Sequence, residues 1–253
     1  MEAINGKSKL KALLDEQFQL FNQIDFIEND PISIPHLFTK KEDIEISGFI
    51  TASISWGNRK SILNSARKIL EKMELSPHEF ILNHSEKDLK PFKGFVHRTF
   101  NEVDMVSFIH SLKRIYENSE GLEGMFNGGN TLTEKLAQFP QNFFVHEVPK
   151  RSRKHIANIA KGSAAKRINM FLRWMVRNDD HGVDFGLWKT ISPSELFMPL
   201  DVHSGRIARK LGLLERKQDD WKAVQLLTGE LRKFDRKDPV KYDFALFGMG
   251  MTS

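Results

Sequence analysis

The stretch Lys161-Gly162-Ser163-Ala164-Ala165-Lys166-Arg167-Ile168-Asn169-Met170-Phe171-Leu172-Arg173-Trp174-Met175-Val176-Arg177 carries two patterns at once. Ile168, Phe171, Leu172, Met175 and Val176 recur at helical spacing and make one apolar stripe. Lys166, Met170, Arg173 and Arg177 fall at i, i+4, i+7 and i+11, along a different face. The pattern predicts a helix from about Gly162-Ser163, preceded by a helix through His155 and Ile156. Free backbone N–H groups at the start of the second helix suit a phosphate.

Outward from this segment the helical period persists. Leu10, Leu13, Leu14, Phe18 and Phe21 share one face, as do Ile62, Ala66, Ile69, Leu70 and Met73. Val103, Val106, Ile109, His110, Lys113 and Tyr116 mark another helix, started by Asn101 or Asp104. Ser76-Pro77-His78-Glu79, Thr131-Leu132-Thr133-Glu134 and Ser192-Pro193-Ser194-Glu195 fit the capping pattern Ser/Thr-x-x-Glu. Asp238-Pro239 opens a last helix. Ile44–Ile46 and Phe143–Val145 alternate for too short a run to build a sheet. Loops fall at Asn127-Gly128-Gly129-Asn130 and at Asn178-Asp179-Asp180-His181-Gly182. The expected fold class is all-α, with Phe, 20 in all, as the main core filler.

Composition bounds the function. The 253 residues carry no cysteine, which excludes disulfides, thiol nucleophiles, cysteine-type zinc sites and iron–sulfur clusters. No window approaches the roughly 18 apolar residues of a membrane span, and the first residues lack a signal core. The expectation is a soluble cytoplasmic protein with no membrane partner. The net charge of +5 is unevenly spread. Residues 1–149 hold 17 Lys+Arg against 21 Asp+Glu, and residues 150–253 hold 21 against 12. Residues 150–177 hold nine basic residues and no acidic one, an electrostatic footprint for a polyanion. His97-Arg98 is a further basic pair, for which the sequence supplies no mechanism. Asp179, Asp180 and His181 read as a solvated loop rather than a metal site.

A second motif is Pro199-Leu200-Asp201-Val202-His203, followed by Arg206-Ile207-Ala208-Arg209-Lys210-Leu211-Gly212. Asp201 sits where a helix should start, and Gly212 where it should stop. Together the two motifs resemble the signature of the helix-hairpin-helix DNA glycosylase superfamily, closest to the 8-oxoguanine DNA glycosylases. The family hairpin Leu-Pro-Gly-Val-Gly-x-Lys lies over Ala160 to Lys166, with Gly162 on the first Gly and Lys166 on the catalytic lysine. The family motif Pro-Val-Asp-x-His puts its catalytic aspartate on Asp201. The whole chain also resembles an uncharacterised bacterial family known only as a domain of unknown function. Two segments align more loosely. Phe49 to Arg59 resembles the early helix and turn whose polar side chain enters the gap left by an extruded base, implicating Asn58 or Arg59. Asp243 to Gly248 resembles the helix that reads and stacks on the flipped base.

The resemblance implies a two-lobed all-α glycosylase-like fold with a groove between lobes. One lobe would span about 41–177 and end in the hairpin, and the other about 1–40 plus 178–253. It implies Lys166 and Asp201 as catalytic residues and double-stranded, damaged DNA as partner. Lys161, Gly162, Ser163, Ala164, His203, Arg206, Asn58 and Arg59 would contact DNA. Met170, Asp243 and Phe247 would form the base pocket, with Trp174 a further stacking candidate. No cofactor or metal is implied. The chain departs from the pattern in Lys161 for the hairpin Pro and Ala164 for its second Gly. The step of 201 − 166 = 35 residues is longer than in the commonest members and leaves room for an extra short helix at the Ser192 box.

The chemistry explains these residue types. Cleaving an N-glycosidic bond builds an oxocarbenium-like transition state, which a nearby carboxylate stabilises. A neutral lysine attacks C1′ and forms a Schiff base, which permits strand cleavage by β-elimination. A surrounding basic block favours the neutral amine. The resemblance thus implies a DNA glycosylase with AP-lyase activity on an oxidised purine such as 8-oxoguanine. The alternative is a non-catalytic DNA-binding protein that uses the same hairpin for phosphate contacts.

Overall fold

A computed structural model of the protein describes residues 6–129, 131–144, 147–178 and 180–251. Its α-helices are α1 Lys7–Phe21, α2 Asp25–Glu28, α3 Lys41–Ser53, α4 Arg59–Lys72, α5 Pro77–Asn83, α6 Glu102–Asn118 and α7 Gly121–Gly124. They continue with α8 Leu132–Phe143, α9 Lys150–Arg153, α10 Lys166–Val176, α11 Val202–Lys210, α12 Trp221–Leu231 and α13 Tyr242–Met251. Among the described residues the strands are the two-residue pair β1 Val96–His97 and β2 Phe100–Asn101, which form an antiparallel hairpin. The fold is all-α. No helix of the described residues is long and apolar enough to cross a membrane.

The capping signals resolve into different outcomes. Asn101 and Asp104 form a reciprocal capping box that starts α6, and Thr131 and Glu134 do the same for α8. The Ser192–Glu195 box forms too, but it closes a 3-10 turn, Pro193–Glu195, in place of the extra helix. Pro77 opens α5 without a side-chain bond from Ser76. Ile44–Ile46 lies inside α3 and Phe143 ends α8, whereas Val145, Asn130 and Asp179 lie outside the described residues.

The chain forms two compact units, residues 29–158 and residues 1–28 with 159–253. These limits differ from the expected 41–177 at both edges. The 3-10 turns Pro31–Ser33 and Pro35–Leu37 pack on α3. At the other edge, Phe171 of α10 meets Trp188 edge-on at 5.4 Å, and Arg173 bonds Asp243, so the hairpin segment groups with the termini.

In the unit of 29–158, α3 is buried from Ile44 to Ser53. A helix covered on every side must satisfy its polar groups internally. Glu45 does so by accepting from the Tyr116 hydroxyl at 2.6 Å. Phe49 then joins Phe108, Phe139 and Phe143 in an aromatic core, with ring centroids 5.1–6.0 Å apart.

In the other unit α13 packs against both α1 and α11. Two glycines allow this. A Cβ on Gly248 would stand 2.1 Å from the Phe21 ring, and one on Gly250 would stand 3.0 Å from His203. Gly248→Ala is expected to force α1 away from α13 and to destabilise the protein by about 1–3 kcal/mol, the usual cost of overpacking. Urea unfolding of the two proteins measures this, and a loss below roughly 0.5 kcal/mol would mean that α1 is not seated there.

Candidate active site

The hairpin before α10 is built by backbone geometry. Gly162 takes φ 84° and Ala165 takes φ 52°, both left-handed. Ala165 N–H donates to Ser163 Oγ at 3.2 Å, and Trp221 N–H donates to Gly162 O at 3.1 Å. The left-handed Ala165 delays the helix, which begins at Lys166 and not at Gly162-Ser163. The segment before it is also shorter than expected, with one turn at Lys150–Arg153 and a 3-10 turn at Ile159–Lys161 in place of a helix through His155. Lys161, Gly162 and Ser163 are exposed on this hairpin, and Ala164 is half-buried.

From α10 the charged row meets carboxylates that come from four other places in the chain. Lys166 Nζ lies 3.2 Å from Asp201 Oδ2. Arg173 donates from Nη1 to Asp243 Oδ2 at 2.5 Å and from Nε to Asp184 Oδ1 at 3.3 Å. Arg177 donates from Nη1 to Asp184 Oδ2 at 3.0 Å and from Nε to Asp238 Oδ2 at 2.7 Å. Both guanidinium groups also lie over the Phe244 ring, at 4.2 and 5.4 Å from its centroid. Two of the nine basic residues of 150–177 are therefore internal structural charges and add nothing to a surface footprint.

Asp201 does two jobs with its two oxygens. Oδ1 accepts from the His203 and Ser204 N–H groups, each at 2.9 Å, and caps α11 in a box with Ser204. Oδ2 faces Lys166. Burial works to raise this carboxyl, but Lys166 and the Ser204 bonds outweigh it and hold Asp201 below the ordinary value. The pair is partly open, with the lysine side chain 33% exposed and the aspartate 17%. Asp243, two steps along the row, behaves oppositely. Burial pushes it up to about 6 against the pull of Arg173, and the charge of Asp201 adds to the push.

The remaining expected residues divide. Met170 is buried on α10 and Asp243 on α13, where the charges of Lys166 and Asp201 reach it, while Phe247 is half-buried against Phe26 and His203, at 6.3 and 6.5 Å. His203 is exposed at the start of α11. Arg206 donates from Nη2 to Gly250 O at 2.9 Å, so part of its donor set ties α11 to the end of α13. Trp174 is fully buried and is a core residue, which removes it as a stacking wall. Asn58 and Arg59 belong to the unit of 29–158, where Asn58 Oδ1 caps α4 through Ser61 N–H at 2.8 Å. His181 packs edge-on against Phe18 at 5.9 Å. The described residues hold no group of three potential metal ligands. Sequence reading missed Asp184 as the shared partner of Arg173 and Arg177, because an aspartate in a loop carries no local sign of its distant partner.

The Lys166–Asp201 contact has a direct check. Stability from the lowered Asp201 value is present above the ordinary carboxylate range and is lost as pH falls through the lowered value. Lys166→Gln removes the lysine's pull and leaves the burial, so the Asp201 carboxyl should titrate at higher pH than in wild type. Carbon-detected NMR titration reads this, and an unchanged Asp201 midpoint would show that the two groups do not interact.

A family model described as a protein of unknown function (DUF2400) matches residues 30–252. No curated protein and no solved structure matches the chain. Since the match runs from the turns before α3 through α13, the chain belongs to the DUF2400 family.

Proposed function

We propose that this protein is a DNA base-excision glycosylase with AP-lyase activity, using Lys166 as nucleophile and Asp201 as its electrostatic partner. The observation that supports the reading is the 3.2 Å approach of Lys166 Nζ to Asp201 Oδ2. Two residues 35 apart in sequence, each within a separate motif, meet beside an exposed glycine hairpin. In this reading the exposed Lys161, Gly162 and Ser163 hold a backbone phosphate and His203 contacts a neighbouring one. The target base leaves the stack toward Met170 and Phe247.

Asp201 stabilises positive charge as the C1′–N bond lengthens. Lys166 passes one proton by way of the Asp201 carboxylate to the departing base, which keeps the electron pair of the C1′–N bond, and the freed Nζ lone pair bonds to C1′. Ring opening leaves a Schiff base between Nζ and C1′. Loss of a proton from C2′ then expels the 3′ phosphate. Borohydride reduction should trap wild-type protein on a duplex carrying 8-oxoguanine. Lys166→Gln should abolish trapping, and Asp201→Asn should lower base release by at least about 100-fold. Equal trapping by Lys166→Gln would sink the assignment.

Asp243 would read the base edge. Oxidised guanine presents N–H donors, and an ionised carboxylate accepts them. Because burial holds Asp243 at about 6, acceptor strength falls as pH drops through that value. Base release from 8-oxoguanine should therefore decline below about pH 6, and Asp243→Asn should remove that limb from the pH profile. A limb that persists in the variant belongs to another group.

A further inference from the structure

The unit of 29–158 holds a basic pocket that the proposed chemistry does not use. It is an open depression of about 520 Å³ lined by Val96, Arg98, Thr99, Asn101, Arg151 and Lys154. Arg98 and Thr99 form the two-residue tip of the β1–β2 hairpin, where Val96 pairs with Asn101 and His97 with Phe100. Arg98 sits at φ 55°, a left-handed backbone that favours Gly or Asn and strains a long side chain. Its Cδ and Nη1 lie 3.2 Å from where a Cβ on Gly57 would stand, so the guanidinium lies along the Gly57-Asn58 turn. Among the described residues neither Arg98 nor Lys154 has an ion-pair partner.

The wall behind these cations is rigid. Asp104, fully buried, accepts from Asn101 N–H at 2.9 Å, from Ser152 Oγ at 2.7 Å and from Arg151 Nη2 at 3.0 Å. His155 Nε2 lies 3.2 Å from the same carboxylate, and the Trp56 ring stacks on His155 at 5.8 Å. Arg151 also donates to Thr99 O at 2.9 Å, which ties α9 to the hairpin tip. From the other side His97 bonds Ser65 Oγ at 2.9 Å and Trp56 O at 3.3 Å. One buried carboxylate thus pins one cation of the pocket, and the hairpin that presents a second is anchored at both ends. A strained, unpaired arginine on a fixed support is an arrangement for an external anion.

We propose that this pocket binds a phosphate of the DNA backbone, through Arg98 and Lys154, as a contact separate from the 161–163 hairpin. The proposal rests on the reading of the chain as a DNA-binding enzyme. An open depression leaves room for the rest of a phosphodiester chain, and its cations match the charge of that chain.

The test is the affinity of the full chain for an undamaged duplex, by fluorescence anisotropy at several salt concentrations. The variants are Arg98→Asn, which tolerates the left-handed backbone, Lys154→Gln on an exposed position, and the double variant. The double variant should bind on the order of tenfold more weakly at low salt, and its log K against log salt slope should be shallower by about 2. Each single variant should give about half that change in slope. If wild type binds the duplex and the double variant matches it in affinity and slope, the pocket assignment is overturned while the DNA reading stands. If wild type binds no duplex, both are overturned. Loss of binding to anionic phospholipid vesicles without loss on DNA also overturns the assignment.

Discussion

The polar face of α10 carries Lys166, Arg173 and Arg177 into contact with Asp201, Asp243, Asp184 and Asp238. Buried charges are tolerated only when paired, and removing one partner of such a pair costs about 3–5 kcal/mol. The side chains are 1% exposed at Arg177, 5% at Arg173 and 33% at Lys166. The row is therefore closed at one end and open at the other. The closed end fixes the rotation of α10, and that rotation aims Lys166 at Asp201. The two carboxylates titrate oppositely because burial opposes ionisation at both, but Lys166 and the Ser204 bonds outweigh it at Asp201 while Arg173 does not outweigh it at Asp243.

The helices were legible because their apolar positions recur locally. Ile62, Ala66, Ile69, Leu70 and Met73 needed no partner to announce α4, and Asn101 with Asp104 announced the start of α6. The β1–β2 hairpin was not legible, since two-residue strands carry no alternation to read. Neither was the late start of α10, which depends on an alanine in a backbone conformation that alanine seldom adopts. At the site, Lys166 and Asp201 were read from motifs and do meet. The fate of Arg173 and Arg177 was hidden, because a count of charges treats every arginine as solvated. Their spacing put them on Lys166's face, but only the tertiary partners Asp184 and Asp238 turn that face inward.

Two aspartates solve the same local problem in the two units. Asp104 completes the capping box of α6 and also holds Arg151, Ser152 and His155. Asp201 caps α11 and also faces Lys166. At Asp201 one oxygen serves the helix and the other faces Lys166, whereas at Asp104 Oδ2 serves both the cap and Arg151 and Oδ1 takes Ser152; in both the carboxylate is fixed to the helix end. That makes it a well-placed donor of negative charge. It also explains why an N-cap role and a chemical role for Asp201 are compatible.

The connection between α1 and α13 has a consequence for how the chain comes to its final form. Residues 29–158 are inserted between α1 and the rest of the unit to which α1 belongs. A ribosome making this chain releases α1 ahead of the whole insert and α13 after it. The ring contacts of Phe49 with Phe108, Phe139 and Phe143 join residues that all lie within the insert. During that interval α1 keeps Leu14 and Phe18 without their final neighbours. The unit that carries Lys166 and Asp201 closes last, and its closure joins residues more than 200 apart, as in the Tyr242 hydroxyl's bond to Asp15. A truncation at the C-terminus would therefore cost the beginning of the chain its partner, while leaving the ring contacts among Phe49, Phe108, Phe139 and Phe143 in place.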